Sequence, residues 1–478
     1  MNLKLVFKVV GRVMLMEIAA LLLPALVAAL YGESPTPFLL SMVLVAAFAF
    51  PLSRMKTDSR FFSREGFCSV GLIWLLTGVV GALPFYFCGR FPSFVDCFFE
   101  SCSGFTTTGA TILSEIESLP RGILFWRSLT HWLGGMGVLV LATAVIPSLG
   151  IRSRYLAQAE SPGPTFSKLV PKQSQTSKIL YGMYCGLTLL QALLLKLAGM
   201  PWYDAFIHAF GTAGTGGFSN RNASVGAYGS PLIDVIITVF MLLFSINFSL
   251  YFLLLTRHFK EILKSDELRF FLLVVAGATA LITVNTLDIY GSLLQSLRYA
   301  AFQVSSIIST TGFATADYML WPTFSQVIVL LLMFCGACAG STGGGMKCSR
   351  ILILLRSIRR EIHRVTDPRR VEVIKLDGKV ADESTVHSVL VFVGCNLGFI
   401  LLATLIVSLD NFSFATSFSS ALTCVSNVGP GLDLVGPSGN FSALSHLSKL
   451  VLSVCMIVGR LEILPILVLF SRSSWHKG

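Results

Sequence analysis

Asp96-Cys-Phe-Phe-Glu-Ser-Cys-Ser-Gly-Phe-Thr-Thr-Thr-Gly109 is the first of four similar segments that decide the fold of this chain. It aligns without a gap with DAFIHAFGTAGTGG (204–217), YAAFQVSSIISTTG (299–312) and TSFSSALTCVSNVG (416–429). Each segment ends on glycine, and the residue two positions before that glycine is polar. One Thr-Gly triplet is an ordinary turn or helix-packing sequence. Four in one register indicate an internal repeat.

The chain around these segments has the composition of a membrane protein. Of its 478 residues, 54% are hydrophobic and 13% are charged, whereas roughly a quarter of a soluble protein is charged. Its apolar stretches are about 20 residues long, enough to cross a bilayer as helices.

This composition argues against a soluble enzyme, and no nucleophile and base or metal cluster suggests a membrane enzyme. The apolar runs predict about ten spans, at residues 13–31, 36–52, 67–88, 122–149, 179–199, 232–256, 268–289, 322–355, 388–409 and 446–471.

The four segments are too short to span and too apolar for ordinary loops. Each begins with a helical pattern, so we expect a half-helix that enters the membrane and turns back. Non-helical backbone at membrane depth is tolerated only where it is buried in protein or lines a water-filled cavity. Glycine would let successive carbonyls aim at a common axis, where they could replace the hydration shell of a large monovalent cation. The sequence therefore predicts a cation pore.

Basic residues set the expected orientation, because Lys and Arg mark the cytoplasmic ends of spans. They follow spans two, four and six, on the side of the N-terminus: Arg54, Lys56, Arg60, Arg64, Arg152, Arg154, Lys168, Lys172, Lys178, Arg257, Lys260 and Lys264. An even number of spans then places both termini in the cytoplasm. The net charge of +11 is explained by these flanks and does not imply nucleic-acid binding. The opposite face is expected to form an acidic vestibule from Asp96, Glu100, Glu115, Glu117, Asp204, Asp288, Asp317, Asp410 and Asp433.

Span eight is interrupted by a glycine-rich stretch that ends at Lys347. Each interior glycine costs a helix roughly 1 kcal/mol relative to alanine, so five within ten residues should break it. We expect a movable gate at Gly336, Gly340, Gly343, Gly344 and Gly345, with a passive packing kink as the alternative. A phosphate-binding loop is excluded because the spacing to Lys347 is one residue too long and no strand precedes it.

Arg460 lies inside the apolar last span. A guanidinium there costs roughly 2.5 to 3.5 kcal/mol even on insertion scales, so we expect it to face the bundle interior. We hypothesise that it caps the glycine-rich stretch and controls closure. The alternative is an ion pair with Glu462, but residues two apart do not share a helix face.

Two histidines and one cysteine pair have less distinctive patterns. His208 shares its repeat column with Glu100, Gln303 and Ser420, which predicts a polar position behind the pore. For His131, beside Trp132, interfacial packing is favoured over proton relay. Cys335 and Cys338 form the only CxxC pair, and small-residue packing is favoured over metal or redox chemistry.

The segment from Lys347 to Lys379 is the most basic of the chain. Its ten basic residues against four acidic ones give a net charge of +6. It contains a predicted short hairpin, in which Asp377-Gly378 forms a tight turn between residues 371–376 and 379–380. Contact with anionic lipid and docking of a soluble partner fit this composition equally well.

The motifs together resemble one transporter family. Phe105-Thr-Thr-Thr-Gly-Ala-Thr, Thr215-Gly-Gly-Phe-Ser, Ser309-Thr-Thr-Gly-Phe, Asn427-Val-Gly-Pro-Gly and Gly459-Arg-Leu-Glu, with the glycine-rich break, resemble the TrkH branch of the Trk/Ktr/HKT potassium transporters. The resemblance implies an all-α polytopic membrane protein with two N-terminal transmembrane helices (residues 1–60) and four parallel M1-pore-loop-M2 repeats around a pseudo-fourfold pore. The implied repeats are 61–152, 153–262, 263–362 with the gating loop, and 363–478 with the basic hairpin linker.

The same resemblance implies the site. The implied potassium filter consists of Thr107, Thr108, Gly109, Thr215, Gly216, Gly217, Thr310, Thr311, Gly312, Asn427, Val428 and Gly429. The implied gate consists of the glycine-rich stretch, Lys347 and Arg460. Four glycines favour potassium, although one glycine per loop offers fewer sites than a long carbonyl stack. No cofactor is expected in this chain.

The implied setting is the bacterial inner membrane. There the family resemblance implies a homodimer on cytoplasmic TrkA-type regulatory subunits that bind NAD or ATP. The alternative function is ion-coupled symport of potassium with H⁺ or Na⁺. Such transporters typically have inverted repeats and paired interrupted helices, whereas here the units run parallel and only one inner helix is expected to be broken.

Overall fold

The computed structural model describes residues 3–56, 63–137, 173–369 and 372–463. In these residues the fold is helical apart from one two-stranded hairpin. Six helices are long and apolar enough to cross a membrane, and a bent pair makes a seventh. They carry leucines that are more than half exposed, such as Leu26 and Leu401, as lipid-facing positions require. The chain is therefore a polytopic membrane protein.

The described residues up to 255 form nine α-helices. They are α1 (Leu3–Leu30), α2 (Thr36–Ser53), α3 (Ser63–Phe87), α4 (Phe94–Phe105), α5 (Arg121–Gly135), α6 (Gln173–Leu197), α7 (Trp202–Ala213), α8 (Pro231–Ser245) and α9 (Phe248–Leu255).

The second half continues the same pattern and adds the hairpin. Its elements are α10 (Phe259–Leu263), α11 (Asp266–Asn285), α12 (Leu287–Tyr290), α13 (Leu293–Ile308), α14 (Thr323–Cys335), α15 (Cys348–Thr366), β1 (Lys375–Leu376), β2 (Lys379–Val380), α16 (Glu383–Val407), α17 (Phe414–Ser426) and α18 (His446–Arg460).

Four short helices, α4, α7, α13 and α17, correspond to the repeated segments. They have 12 to 16 residues, or about 18 to 24 Å at 1.5 Å per residue, which is less than a bilayer core. Serine caps start two of them: Ser93 Oγ accepts from the Asp96 amide, and Ser413 Oγ accepts from the Thr416 amide. Their C-terminal halves are buried, so the chain turns back inside the protein.

The apolar run at 232–256 is broken, whereas the sequence predicts a break in only one inner helix. Helices α8 and α9 meet at an angle of 94°. Asn247 starts α9 by accepting from the Ser249 amide at 2.9 Å. The unpaired backbone groups of the break bond to the glycine-rich stretch: the Cys338 amide donates to Ser245 O, and the Phe248 amide donates to Gly340 O, both at 3.0 Å. The expectation was wrong because these two irregular segments satisfy each other.

The glycine-rich stretch and the turn of the hairpin lie where the sequence predicts them, but the first strand is shorter than the predicted residues 371–376. Residues 336–347, called the Gly-rich loop below, separate α14 from α15. The strands β1 and β2 pair Lys375 with Val380, and Asp377 and Gly378 both have positive φ, as a two-residue hairpin turn requires. Residue 371, the predicted repeat boundary at 152/153 and the last predicted span beyond residue 463 lie outside the described residues.

Candidate functional site

The four segment-ending glycines form a closed ring. Gly109, Gly217, Gly312 and Gly429, called the glycine ring, all have positive φ. A Cβ on any of them would lie less than 3.0 Å from the carbonyl oxygen that precedes the next glycine of the ring: Gly109 against Gly216, Gly217 against Thr311, Gly312 against Val428, and Gly429 against Thr108. The fourth contact returns to the first segment. The structure thus brings the four segments together in chain order, with backbone touching backbone.

The residues two positions before the ring share a second unusual conformation. Thr107, Thr215, Thr310 and Asn427 have φ values of 57°, 54°, 60° and 52°. A non-glycine residue held there costs about 1 to 3 kcal/mol, and all four side chains are completely buried. The four loops therefore repeat one backbone geometry, although their sequences differ.

Side chains of these loops connect the ring to the Gly-rich loop. Thr215 Oγ1 donates to Thr342 O at 3.0 Å, and the Gly344 amide donates to Thr310 Oγ1 at 2.7 Å. In the fourth segment, Asn427 Nδ2 donates to Thr108 Oγ1 at 2.9 Å. The Gly-rich loop therefore packs directly against the second and third segments.

Glycine is needed in the Gly-rich loop because backbone approaches it on several sides. A Cβ at Gly343 would lie 2.9 Å from Ser309 O, and one at Gly344 would lie 2.6 Å from Ser426 O. Gly336, Gly340 and Gly345 have positive φ. Lys347 closes the loop in a left-handed conformation and donates to Gly343 O. The loop is thus fitted into its site rather than loosely tethered.

The Arg460 guanidinium reaches this loop. Its Nη1 donates to Thr342 O at 2.9 Å, and its Nη2 donates to the carbonyls of Gly134 and Gly135 at 2.6 and 2.7 Å. It therefore joins the Gly-rich loop to the end of α5. Glu462, the alternative partner, pairs with Arg350 of α15 instead.

Polar residues behind the ring occupy the predicted column. His208 Nδ1 lies 2.8 Å from Asp204 O and its Nε2 lies 3.0 Å from Ser219 Oγ. Gln303 Nε2 donates to Ala316 O at 2.9 Å. Each side chain thus stabilises the stretch of chain that follows the ring glycine of its own segment.

The buried pair of Glu100 and Arg127 was missed by sequence reasoning. Arg127 Nε donates to Glu100 Oε1, its Nη1 donates to Ser219 O at 3.0 Å, and its guanidinium lies 3.5 Å from the centre of the Phe218 ring. Glu100 also accepts from the Ile112 amide at 3.1 Å. The polar column contained the signal for Glu100, but nothing local indicated its partner.

Two expectations about individual residues were also wrong. His131 is not interfacial: its side chain is completely buried, and Nδ1 lies 2.7 Å from Gly104 O. The neighbouring Trp132 is a poor guide to the position of His131, because adjacent residues point to different sides of a helix. The acidic vestibule also loses two members, since Glu100 is paired inside the protein and Asp96 accepts from Lys449 Nζ at 2.7 Å, with both partners buried.

Comparisons with known proteins identify the relatives of this chain. The TrkH family model, described as a cation transport protein, matches residues 36–477. The Trk system potassium uptake protein TrkH of Salmonella typhimurium is 39% identical over 494 residues and is matched over the whole of both chains. TrkG of Escherichia coli, with the same description, is 34% identical over 468 residues, 95% of each chain.

A solved structure has the same fold. The crystal structure of the potassium transporter TrkH from Vibrio parahaemolyticus matches with a TM-score of 0.87 and 34% identity, covering 100% of both chains. Family match, full-length relatives and fold agree, and the chain belongs to the TrkH family of cation transport proteins, which are transporters and not enzymes.

Proposed function

We propose that this chain is the potassium-translocating subunit of a Trk-type uptake system and that potassium crosses it at the glycine ring. The observation that carries the proposal is the closed ring of backbone contacts among four segments of one chain. The names of the relatives, which are potassium uptake proteins, support the choice of ion. Four M1-pore-loop-M2 units around a pseudo-fourfold axis account for the ring.

The chemistry of the ring suits a monovalent cation. Carbonyl oxygens carry partial charge, so they can replace the hydration shell of potassium without the strong field that Mg²⁺ or Ca²⁺ demands. The four half-helices would direct their partly negative C-termini at the same point. The filter would consist of the three residues that end each segment. With one ring glycine per loop, discrimination against sodium should be moderate.

The Gly-rich loop and Arg460 would form the gate. The loop contacts the second and third segments through Thr215 and Thr310, so it lies next to the proposed filter. Arg460 bonds to the same loop at Thr342. A fixed positive charge beside a cation path raises the barrier to permeation, and opening would require the loop and the guanidinium to move.

The family of the chain and its exposed apolar surface support a cellular setting for it. The chain would lie in the bacterial inner membrane as a homodimer with both termini cytoplasmic, on TrkA-type subunits that bind NAD or ATP. Helix α15 supports a second copy as partner because Leu355, Ile358, Ile362 and Val365 are 49 to 82% exposed. Their spacing of three, four and three residues is that of a helix-pairing seam.

The test is ion flux through proteoliposomes. Gly312→Ser should lower the preference for K⁺ and Rb⁺ over Na⁺, because Gly312 has φ of 82° and its missing Cβ faces Val428 O. Gly291→Ser is the matched control: Gly291 also has positive φ but no atom within 4 Å of a Cβ position. An unaltered ion preference in a folded Gly312→Ser protein would contradict the filter.

Ion-coupled symport remains the second candidate because of the break between α8 and α9. Interrupted helices are typical of secondary transporters, and this chain has two interrupted inner helices in its described residues. Measuring K⁺ uptake with and without a pH or Na⁺ gradient decides between them. Uptake against a K⁺ gradient driven by H⁺ or Na⁺ would establish coupling.

A further inference from the structure

One buried carboxylate is hydrogen-bonded both to the Gly-rich loop and to the helix that follows it. Glu267 Oε1 accepts from the Ala339 amide at 2.7 Å and from the Ser349 amide at 2.9 Å. Ala339 is the fourth residue of the loop, and Ser349 lies in the first turn of α15, which follows the loop. Glu267 itself is 7% exposed and belongs to the first turn of α11. A single oxygen atom therefore links the Gly-rich loop at Ala339 to the start of α15.

The carboxylate also replaces a missing helix cap. Lys347 precedes α15 and, in the described part of the chain, gives that helix no side-chain cap. The first amides of a helix need acceptors, and a negative charge near the N-terminus is favourable. Glu267 supplies both from another helix, about 80 residues earlier. Its loss would release the loop and the start of α15 together.

The residue before Glu267 is bonded to the hairpin. The Asp266 amide donates to Asp377 Oδ1 at 2.7 Å, and the Asp377 amide donates to Asp266 Oδ2 at 3.1 Å. Arg356 of α15 donates to Asp266 Oδ2 at 3.0 Å and also to Lys375 O of β1. Hairpin, α15 and the first turn of α11 are therefore joined in one network.

We infer that Glu267 is a positioning residue of the gate and that the Asp266-Glu267 turn transmits displacement of the hairpin to the Gly-rich loop. This inference rests on the proposed function, in which the loop is the gate. Adjacent residues in one helical turn move together, so a ligand that shifts the hairpin at Asp377 shifts the carboxylate that holds the loop. The connection is a chain of direct hydrogen bonds between packed elements.

The native thiol of Cys338 reports the state of the loop. It is 1% exposed and lies one residue before Ala339. In full-length protein in liposomes, alkylation of Cys338 by a membrane-permeant maleimide can be measured by peptide mass spectrometry. Glu267→Ala should raise the rate about tenfold or more, a change of about 1.4 kcal/mol or more, since two hydrogen bonds to a charged acceptor are lost. Glu267→Gln keeps an acceptor oxygen and should give a smaller rise.

The hairpin arm of the test uses Asp377. Asp377→Ala removes the acceptor for the Asp266 amide and should also raise Cys338 alkylation, whereas Asp377→Asn keeps an acceptor and the left-handed turn and should label like wild type. The double variant with Glu267→Ala should label no faster than Glu267→Ala alone, because both changes act through one path. Cys424, buried in α17, is the internal control and should keep its rate.

Three results would overturn the inference: wild-type labelling of Cys338 in Glu267→Ala, wild-type labelling in Asp377→Ala, or additive effects in the double variant. If Glu267→Ala does not insert, Glu267→Gln is judged by the same criterion. Rb⁺ flux is measured on the same samples. Absence of wild-type flux would contradict the proposed function, whereas the labelling reads the loop clamp without requiring transport.

Discussion

Arg127 Nε lies 2.5 Å from Glu100 Oε1, and the two side chains are only 2% and 0% exposed. The pair links the stretches of chain that follow the first two glycines of the glycine ring. Glu100 accepts from Thr111 Oγ1 at 2.9 Å, two residues after Gly109, and Arg127 donates to Ser219 O, two residues after Gly217. The relative position of the first two ring segments therefore depends on one buried ion pair.

Breaking this pair should destabilise the protein strongly. Glu100→Ala leaves the Arg127 charge buried without its partner, a change that typically costs about 3 to 5 kcal/mol. We expect a clear fall in Tm in detergent, together with loss of Rb⁺ flux. The double variant Glu100→Gln with Arg127→Met should recover part of the Tm, because no unpaired charge remains.

An exposed pair provides the matched control. Arg221 and Glu117 lie 3.4 Å apart with 42% and 44% of their side chains exposed. Glu117→Ala should change stability by about 1 kcal/mol or less. Equal losses of Tm in Glu100→Ala and Glu117→Ala would mean that the buried pair does not hold the two segments together.

Gly109→Ala should disrupt the glycine ring more than the cost of a left-handed alanine alone would. A left-handed alanine costs about 1 to 2 kcal/mol, and here the added methyl group would also collide with Gly216 O. We expect lowered K⁺ flux and weakened preference over Na⁺ in proteoliposomes. Gly89→Ala has a similar φ of 67° but open space around the Cβ position, so it should lose a little stability and keep its flux.

The sequence predicts the local parts of this site better than the contacts between them. The half-helices, the ring glycines and the Gly-rich loop each leave a pattern of length or composition. The break at Asn247 was missed because it depends on backbone bonds to Cys338 and Gly340, some 90 residues later. The Arg127–Glu100 and Glu267–Ser349 bonds were also missed, since no periodicity links residues that meet only after the helices pack.

The Asp433 carboxyl, which lies at the start of α17, should make the stability of the protein depend on pH. Hydrogen bonds from the Ser413 and Thr416 hydroxyls lower the pKa of this carboxyl from its ordinary value of 3.8. A lowered pKa stabilises the folded state above the unfolded value, and that contribution is lost as the pH falls through the folded value. Wild type should therefore exceed Asp433→Asn in Tm at neutral pH, and the difference should shrink below about pH 4. A difference that stays constant down to pH 2.5 would show that the charge of Asp433 is not involved.

Arg460→Ala should increase cation flux. The guanidinium bonds to carbonyls of Thr342, Gly134 and Gly135, so it both tethers the Gly-rich loop to α5 and keeps a positive charge beside it. Removing the charge lowers an electrostatic barrier to K⁺, and a reduction of 1.4 kcal/mol corresponds to about a tenfold rise in rate. Arg460→Lys keeps the charge but not the three-carbonyl fork, so it should conduct less than Arg460→Ala.

Arg360 forms an ion pair with Glu383 on α16, so Arg360→Ala controls for the loss of a cation elsewhere. Rb⁺ influx into proteoliposomes at matched protein density measures all three, and unchanged influx in a folded Arg460→Ala protein would remove Arg460 from the gate.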